Sequence, residues 1–355
     1  MDLDCASLAR RVTETGVAPS AAAGCAARTP RGVWARELGG ATGTYFDLAS
    51  LTKPMTALAL ARSGISRKTT LERALPTLAG TASAGVSLEL LLAHRAGLEA
   101  HLPLFEPLTR GGTLESSEAH GRVANARRND ARGGAPAEGF APLYSDLGYV
   151  LAGTALAAHA RTRDAGEAIA RYVVAPLGCL DSLGTARDLA GRGHDLLHLA
   201  APTEVVPWRG GEVRGRVHDE NSWALTGLGG SGHAGMFGTI DAVLTFGCAV
   251  LDALRDEPEL GWLVRARPGG TLRAGFDGKS HEGSSAGTRM GARTFGHLGF
   301  TGTSLWIDPD AETVVALLTN RVNPTRENIA IRAARPAAHD ALFARAEWLR
   351  GQPRS

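Results

Sequence analysis

The chain has 355 residues, of which 44% are hydrophobic and 21% are charged, and its formal net charge at pH 7 is +2. A chain of this length can bury a large core and build two lobes, and its near balance of charge excludes a strongly basic nucleic-acid-binding protein. The four cysteines lie far apart in the sequence, so neither a disulfide framework nor a zinc knuckle is expected.

The first residues argue against export. Asp2 and Asp4 stand where a secretory signal has a basic segment, and no long apolar run follows them. No other stretch reaches the length of a membrane span. The expected compartment is therefore the cytoplasm, and the expected partner is a small molecule rather than nucleic acid or a membrane.

The N-terminal part of the chain predicts a helix, a hairpin and a second helix. Residues 3–15 can form a short helix, and residues 21–27 and 32–37 flank a turn signal, which indicates a hairpin. Good helix formers follow Ser50, and a glycine stands just beyond Ser63. The second helix should therefore begin within a residue or two of Ser50 and end by Ser63.

The middle of the chain is predicted to be mainly helical. Residues 106–140 are polar and rich in Gly and Arg, which indicates a long surface loop, and residues 181–236 show no clean periodicity. Apolar patterns behind capping residues predict four helices: one starting near Ser87, one over 147–160, one over 165–174 and one capped by Thr239.

Beyond Gly287 the pattern changes to strands. Residues 294–298, 303–307 and 313–318 are predicted strands, and the last two form a hairpin around a turn at residues 308–310. A helix over about 337–349 should close the chain after Pro336 ends the preceding helix.

Strands at both ends around a helical middle predict an α/β (α+β) fold. One antiparallel sheet from both chain ends is flanked by helices and carries an all-helical insertion. We expect residues 1–64 and 265–355 to form the domain with the sheet and residues 65–264 to form a mainly helical domain.

Ser50 and Lys53 form a Ser-x-x-Lys pattern at the start of the predicted second helix. Residues three apart share a helix face, so the Lys53 amine should stand beside the Ser50 hydroxyl, near unpaired N–H groups that stabilise negative charge. The chain has 38 Lys and Arg residues but only three lysines. A lysine here indicates a position that needs an amine able to lose its proton, so we interpret Ser50 as a nucleophile and Lys53 as its base, rather than as a helix cap followed by a solvated lysine.

Tyr144, followed by Ser145 and Asp146, is the second candidate. Tyr144 is one of only four tyrosines, and it stands where a loop enters a predicted helix, a position exposed enough to meet a substrate. Alone it would be read as an aromatic residue covering the core, but beside Ser50 and Lys53 it becomes a candidate for proton transfer. Acylation should then depend on a lowered ionisation of Lys53, alone or coupled to Tyr144.

The third candidate is the glycine-rich strand region 296–303. Glycines allow a substrate to lie close to the backbone, and a following N–H can act as an oxyanion donor. His297 lies in this region, where it could bind, orient or titrate, although a lone histidine is more often structural.

These stretches resemble the class C β-lactamase and penicillin-recognising superfamily of serine hydrolases, in particular its β-lactamase-related esterase and D-peptidase branches. The segment from Asp47 to Pro54 is similar to the nucleophile motif, Tyr144 to Asp146 to the Tyr-x-Asn motif, and His297 to Gly299 to the Lys-Thr-Gly or His-x-Gly motif. Further similar stretches follow in the family order, so the likeness covers about residues 18 to 336: they begin at Leu91, His218, Gly232 and Leu318.

The resemblance implies a role for each residue. Ser50 would be acylated, Lys53 and Tyr144 would transfer protons, and the N–H groups of Ser50 and Phe300 would form the oxyanion hole. Asp146, His297 and Gly299 would contact the substrate. Neither a metal nor a cofactor is implied.

Two residues depart from the family pattern. Asp146 replaces an amide, and His297 replaces a fixed cation by a group that is half charged at best near neutral pH. Both changes favour a neutral ester or amide, so we expect an esterase-like hydrolase, with Tyr144 activating the hydrolytic water. A β-lactamase or a D-amino-acid peptidase with penicillin-binding activity is the alternative, and a non-catalytic ligand-binding module is the second alternative.

Two further patterns compete for function. Residues 283–287 fit the Gly-x-Ser-x-Gly elbow of α/β-hydrolases, with Asp308 or Asp310 and then His339 following in that order, but polar residues precede the elbow where a strand is required. His194 and His198 have a spacing that can bind zinc, but no third ligand is apparent, so two surface histidines are the preferred interpretation.

Overall fold

A computed structural model of the chain describes residues 3–352. Its main feature is a six-stranded antiparallel sheet with the order β2-β1-β11-β10-β9-β8. In chain order the strands are β1 (Ala21–Arg28), β2 (Trp34–Gly40), β3 (Phe46–Asp47), β4 (Leu183–Thr185), β5 (Val205–Val206), β6 (Gly211–Glu212), β7 (Met236–Gly238), β8 (Asp277–Gly278), β9 (Phe295–Leu298), β10 (Ser304–Asp308) and β11 (Thr313–Thr319). The prediction of one antiparallel sheet built from both chain ends is confirmed.

The helices cover the sheet and fill the middle of the chain. In chain order they are α1 (Cys5–Glu14), α2 (Thr52–Arg62), α3 (Leu71–Ala74), α4 (Leu88–Leu92), α5 (Glu106–Thr109), α6 (Ser116–Asn125), α7 (Asp146–Ala160), α8 (Ala165–Ile169), α9 (Ala186–Gly191), α10 (Leu196–Leu199), α11 (Glu220–Thr226), α12 (Ile240–Asp256) and α13 (Ile331–Gly351). Short 3₁₀ segments lie at Ala49–Leu51, Pro76–Leu78, Asn129–Ala131, Pro207–Arg209 and Pro258–Leu263, and a π-helical segment, Ala170–Val174, extends α8.

Alternation along the strands divides the core between the two faces of the sheet. Ala23 and Cys25 of β1 pack with α1 and α13 on one face. Ala22 and Ala26 belong to the larger cluster on the other face, which includes α2 and α12. Successive strand residues point to opposite faces, and the small alanines let helices approach both sides closely.

The predicted helices that lead to the candidate residues are confirmed. The 3₁₀ segment Ala49–Leu51 continues into α2, which ends at Arg62. The helix at Ser87 is α4, residues 147–160 form α7, and residues 165–174 form α8 and its extension. Ser87 and Thr239 are both N-caps, with side chains that accept hydrogen bonds from backbone N–H groups of their helices.

The prediction that Pro336 separates two helices was wrong. Pro336 lies inside α13, which begins at Ile331 and continues to Gly351. The helix tolerates the missing N–H because it is anchored on both sides of the proline: Ile331, Leu342 and Phe343 are buried against the sheet face that also carries α1. Tertiary packing here overrides the local preference.

Two predictions about the middle of the chain need correction. Residues 106–140 are not a simple surface loop, because they contain α6, whose Val123 and Ala124 are fully buried in the core. The insertion is not all-helical either, because short strands occur in its glycine-rich part, with β7 pairing to β3 and β4.

The proposed boundaries, 1–64 with 265–355 and 65–264, remain a prediction. Residues 1–2 and 353–355, at the ends of the first proposed domain, lie outside the described residues. Within residues 3–352, no helix combines the length and apolar character needed to cross a membrane.

Gly39 of β2 provides a test of how α1 packs on the sheet. A Cβ at Gly39 would lie 2.1 Å from the Ala6 nitrogen, whereas a Cβ at Gly43 would meet nothing within 4 Å. Gly39→Ala should therefore lower the free energy of unfolding by about 1–3 kcal/mol, the usual cost of overpacking, in urea titrations. Gly43→Ala is the matched control, and equal stability of the two variants would contradict this packing.

Candidate active site

Ser50 lies on a strained turn that leads into α2. The residue before it, Ala49, has a φ of +47°, a conformation that side chains other than glycine rarely adopt. The Asp47 carboxylate holds the turn by accepting hydrogen bonds from the N–H groups of Ala49 at 2.8 Å and His218 at 2.7 Å. Asp47 is buried, and burial raises the pKa of its carboxyl group. The Ser50 hydroxyl is thereby fixed at the edge of a cleft.

Lys53 contacts Ser50 as the three-residue spacing predicts. Its Nζ donates to Ser50 Oγ at 2.8 Å and to the His233 carbonyl at 3.2 Å, and it forms an ion pair with Asp146 Oδ1 at 2.6 Å. The Lys53 side chain is completely buried. The interpretation as a solvated lysine is therefore excluded.

The ion pair reverses the expected charge behaviour of Lys53. Burial alone would lower the pKa of Lys53, but the Asp146 carboxylate outweighs burial and holds that pKa above its ordinary value. Burial would likewise raise the pKa of Asp146, but the Lys53 charge lowers it. Both partners are thus ionised at neutral pH. The expectation of a lowered Lys53 pKa was wrong for the free protein. The sequence could not show this, because residue spacing does not reveal that Asp146 contacts the amine.

Tyr144 approaches the same serine from the start of α7. Its hydroxyl donates to Ser50 Oγ at 3.0 Å, and Lys53 Nζ lies 4.9 Å from its ring centroid. The ring of His94 stacks on Tyr144 with 4.7 Å between ring centroids, and His94 Nδ1 accepts a hydrogen bond from the Ser145 N–H. Burial raises the pKa of Tyr144, so its hydroxyl remains protonated at neutral pH.

His94 and His297 are both neutral. Burial, followed by the positive charge of Lys53, lowers the pKa of each imidazole to about 3. His297 Nδ1 lies 2.8 Å from the Leu298 carbonyl, which can only accept, so Nδ1 carries the proton. His297 therefore adds no positive charge to the site.

The turn after β9 brings Gly299 and Phe300 to the serine. Gly299 has no room for a side chain, because a Cβ would lie 2.0 Å from Thr303 Oγ1 and 2.7 Å from the Leu48 carbonyl. Phe300 is half exposed in the cleft, and its carbonyl accepts from Arg321 Nε at 2.9 Å. Within residues 3–352, neither the Ser50 N–H nor the Phe300 N–H forms a hydrogen bond, so both donors are available to a ligand.

A cleft of about 500 Å³ is lined by Ser50, Tyr144, Asp146, Gly299 and Phe300. One of its walls is rich in arginine: Arg321, Arg326, Arg332 and Arg335. Arg326 pairs with Glu204 and Glu220, whereas the other three have no carboxylate partner in the described part of the chain. Burial lowers the pKa of Arg335 to about 10, which still leaves it charged at neutral pH. The cleft thus contains cations although His297 is neutral.

Sequence reasoning assigned no role to these arginines or to His94. Arg321 and His94 lie in stretches already noted as similar to the family. The sequence therefore marked their positions, but it did not show which residues they contact. Arg335 carried none: it reaches the site from α13, where its Nη2 donates to the carbonyls of Gly299 at 3.0 Å and Thr303 at 2.9 Å.

The competing sequence patterns do not form sites. Ser285 lies in irregular structure rather than between a strand and a helix, and His339 contacts the Ser285 carbonyl and the Ser304 hydroxyl. His194 and His198 contact Asp181 and Asp195 respectively. Over residues 3–352, no three His, Cys, Asp or Glu side chains are grouped closely enough to hold a metal ion.

A family model described as Beta-lactamase matches residues 9–339 of the chain. Among curated proteins, a putative D-alanyl-D-alanine carboxypeptidase from Salmonella gallinarum is 31% identical over 140 residues, which cover 35% of this chain and 32% of that relative. The matched part therefore spans about a third of the relative's length.

Two solved structures share the architecture over nearly the whole chain. EstCE1, described as a hydrolase with promiscuous acyltransferase activity, has a TM-score of 0.68 and 21% identity, covering 95% of this chain and 96% of its own. A class C beta lactamase from Rhodobacter sphaeroides has a TM-score of 0.63 and 16% identity, covering 95% of this chain and 97% of its own. At these identities the likeness shows a common fold.

Lys53→Met tests how strongly the ion pair stabilises the fold. The variant leaves the Asp146 carboxylate, whose side chain is 23% exposed, without its cation. The free energy of unfolding should fall by about 2–4 kcal/mol near neutral pH, because an unpaired charge remains buried. Burial then raises the folded-state pKa of Asp146 above its unfolded value, so the destabilisation should be smaller at about pH 5 than at about pH 8 in urea titrations.

The double variant Lys53→Met/Asp146→Asn is the matched control. It removes both charges and should recover most of the lost stability at pH 8. A single variant as stable as the wild type would show that the pair carries no such energy. Equal destabilisation at both pH values would show that the loss does not come from the unpaired Asp146 charge.

Proposed function

The chain belongs to the Beta-lactamase family, and from that premise we propose that it is a serine hydrolase that forms an acyl-enzyme on Ser50 with a small ester or amide. The observation that carries this proposal is the position of Ser50 Oγ, 2.8 Å from Lys53 Nζ and 3.0 Å from the Tyr144 hydroxyl, in an open cleft. A hydroxyl with two proton-transfer groups within hydrogen-bond distance is the arrangement that nucleophilic catalysis requires.

The Lys53–Asp146 pair accepts the serine proton as a unit. When Ser50 Oγ bonds to the substrate carbonyl carbon, its proton passes to Lys53 while Lys53 gives one of its own protons to Asp146. This assignment is supported by the 2.6 Å contact between the partners and by the raised pKa of Lys53, which cannot act as a base while it keeps all its protons. Asp146 thereby gains a role that an amide at this position could not fill.

Tyr144 protonates the leaving group. As the bond between the carbonyl carbon and the leaving group breaks, the leaving group takes the phenolic proton. The proton held by Asp146 then returns by way of Lys53 to Tyr144, which restores the resting charges. Deacylation runs these transfers in reverse, with water in place of the leaving group. Tyr144 passes its proton by way of Lys53 to Asp146, and the phenolate takes a proton from the attacking water. As the bond between the acyl carbon and Ser50 Oγ breaks, Lys53 gives a proton to Ser50 Oγ and regains one from Asp146.

The unpaired N–H groups of Ser50 and Phe300 stabilise the oxyanion. Both belong to residues that line the cleft, and Phe300 is held between the His218 ring, at 5.7 Å between ring centroids, and the Arg321 guanidinium, 4.5 Å above its ring. Donors fixed in advance contribute more to catalysis than mobile ones, because they need no reorganisation during the reaction.

A peptidase or β-lactamase acting on anionic substrates is the second candidate. Neutral His297 favours neutral esters, but Arg321, Arg332 and Arg335 line the cleft without carboxylate partners and could bind a substrate carboxylate. The curated relative described as a putative D-alanyl-D-alanine carboxypeptidase is in keeping with this candidate.

Acyl-enzyme formation is the test of the proposal. Rapidly quenched wild-type protein should gain the mass of one acyl group from p-nitrophenyl acetate or butyrate, measured by intact mass spectrometry. Ser50→Ala should gain none and should lose at least about a thousandfold in turnover, because the covalent step is removed. Ser285→Ala is the control and should behave as wild type.

The same panel separates the alternatives. Faster turnover of nitrocefin or of a D-alanyl peptide than of the best ester would favour the second candidate. The absence of any adduct and of any turnover with all the substrates would favour a non-catalytic binding module. An acyl adduct that still forms on Ser50→Ala would refute the mechanism.

A further inference from the structure

A second cleft of about 820 Å³ lies between the end of α12, the residues that follow it, and the turn between β10 and β11. None of its lining residues belongs to the cleft at Ser50. Its apolar lining includes the large side chains of Leu251, Leu254, Val264 and Phe295. The volume falls in the range of small-molecule sites, and apolar walls with few polar groups are typical of them.

Most charged side chains around this cleft neutralise one another. The rim pairs are Arg255–Asp256 at 2.9 Å, Arg293–Asp310 at 3.2 Å, Arg28–Glu312 at 3.0 Å and Arg265–Glu138 at 3.8 Å. The charges of these surface pairs already compensate one another, so the paired arginines would contribute little to the binding of a ligand.

Arg273 is different from the rim arginines. It lines the same cleft but is only 9% exposed, and within residues 3–352 it has no carboxylate partner. Its Nη1 donates to the Val264 carbonyl at 2.8 Å, whereas Nε and Nη2 form no hydrogen bond with the described residues. Asp277 is the nearby acid whose charge acts on Arg273, but the two form no ion pair. The guanidinium also lies over the Phe295 ring, 5.8 Å from its centroid, so its two unused nitrogens are the donors left to bind an anion.

The unused nitrogens share one edge of the guanidinium. Nε and Nη2 present two parallel N–H groups, the geometry that holds a carboxylate through both of its oxygens. Gly278 keeps a position beside this edge free, because a Cβ there would lie 2.9 Å from Nη2 and 3.0 Å from Nε. A side chain at this position would therefore cover the Nε/Nη2 edge, whereas glycine leaves that edge uncovered.

We propose that the second cleft binds an aliphatic carboxylate, with the carboxylate on the Nε/Nη2 edge of Arg273 and the chain along Leu251, Leu254 and Val264. The negative charge of the ligand neutralises the buried guanidinium of Arg273, and the aliphatic chain of the ligand covers the apolar lining of the cleft. This site is independent of the chemistry at Ser50 and does not rest on the proposed hydrolase activity.

Isothermal titration calorimetry with decanoate and decanol tests the proposal. The full chain is used as Ser50→Ala, so that no acyl transfer intervenes. Decanoate should bind with one-to-one stoichiometry and at least about tenfold more tightly than decanol, because a charge-assisted hydrogen bond contributes about 1.5–3 kcal/mol. Arg273→Met should remove this advantage, whereas Arg255→Met, which alters a paired rim arginine, should leave it within about twofold.

A glycine pair tests the position of the carboxylate without altering any charge. Gly278→Ala places a methyl group against the Nε/Nη2 edge and should weaken decanoate binding at least about tenfold. Gly261→Ala is the matched control, because Gly261 lines the cleft and a Cβ there meets nothing within 4 Å. Neither glycine has a positive φ, so alanine fits both backbones, and thermal unfolding verifies that each variant is folded.

Three results would overturn the proposal. Equal affinity for decanoate and decanol would remove the role of the carboxylate. Undiminished binding by Gly278→Ala would place the ligand elsewhere, a conclusion that holds even when Arg273→Met fails to fold. Loss of binding in Arg332→Met with retention in Arg273→Met would assign the carboxylate to the cleft at Ser50.

Discussion

The buried ion pair between Lys53 and Asp146 is the interaction on which the candidate site depends. It joins the first turn of α2 to the first turn of α7, and it keeps Lys53 Nζ against the Ser50 hydroxyl. Removing one partner of such a pair would leave an uncompensated buried charge, so each residue holds the other in place. The contact that connects two helices therefore also fixes the amine beside the serine, and Tyr144, two residues before Asp146, reaches the same oxygen.

The second constraint is the attachment of the C-terminal part of the sheet to the N-terminal segment that carries Ser50. Thr301 Oγ1 donates to the Asp47 carbonyl at 2.7 Å, and Thr303 Oγ1 donates to the Leu48 carbonyl at 3.0 Å, so the turn after β9 is attached to the turn before Ser50. The unpaired N–H groups of Ser50 and Phe300 consequently line one cleft. The sheet thus has a direct part in the site, because it holds residues that are distant in sequence at a fixed separation.

What could be predicted from the sequence depends on local spacing. The Ser50–Lys53 contact follows from helical periodicity, and strands β9 to β11 follow from their apolar pattern. The contact of Asp146 with Lys53 was not predictable in this way, since it joins helices far apart in the chain, and it reversed the expected direction of the lysine pKa. Arg335 was missed for the same reason, and the continuous α13 was missed because packing outweighs the local effect of Pro336.

The shared role of Lys53 and Asp146 is tested most directly by the pH dependence of acylation in Asp146→Asn, measured by stopped flow over about pH 5 to 9. In the wild type the pair accepts the proton while both partners are ionised, so the rate should stay level across this range. In the variant, burial lowers the pKa of Lys53, and the rate should rise with pH as the amine deprotonates. Glu220→Gln, which changes a cleft acid that does not contact Lys53, should retain the level profile. A wild-type rate that rises with pH in the same way as that of Asp146→Asn would contradict the shared role.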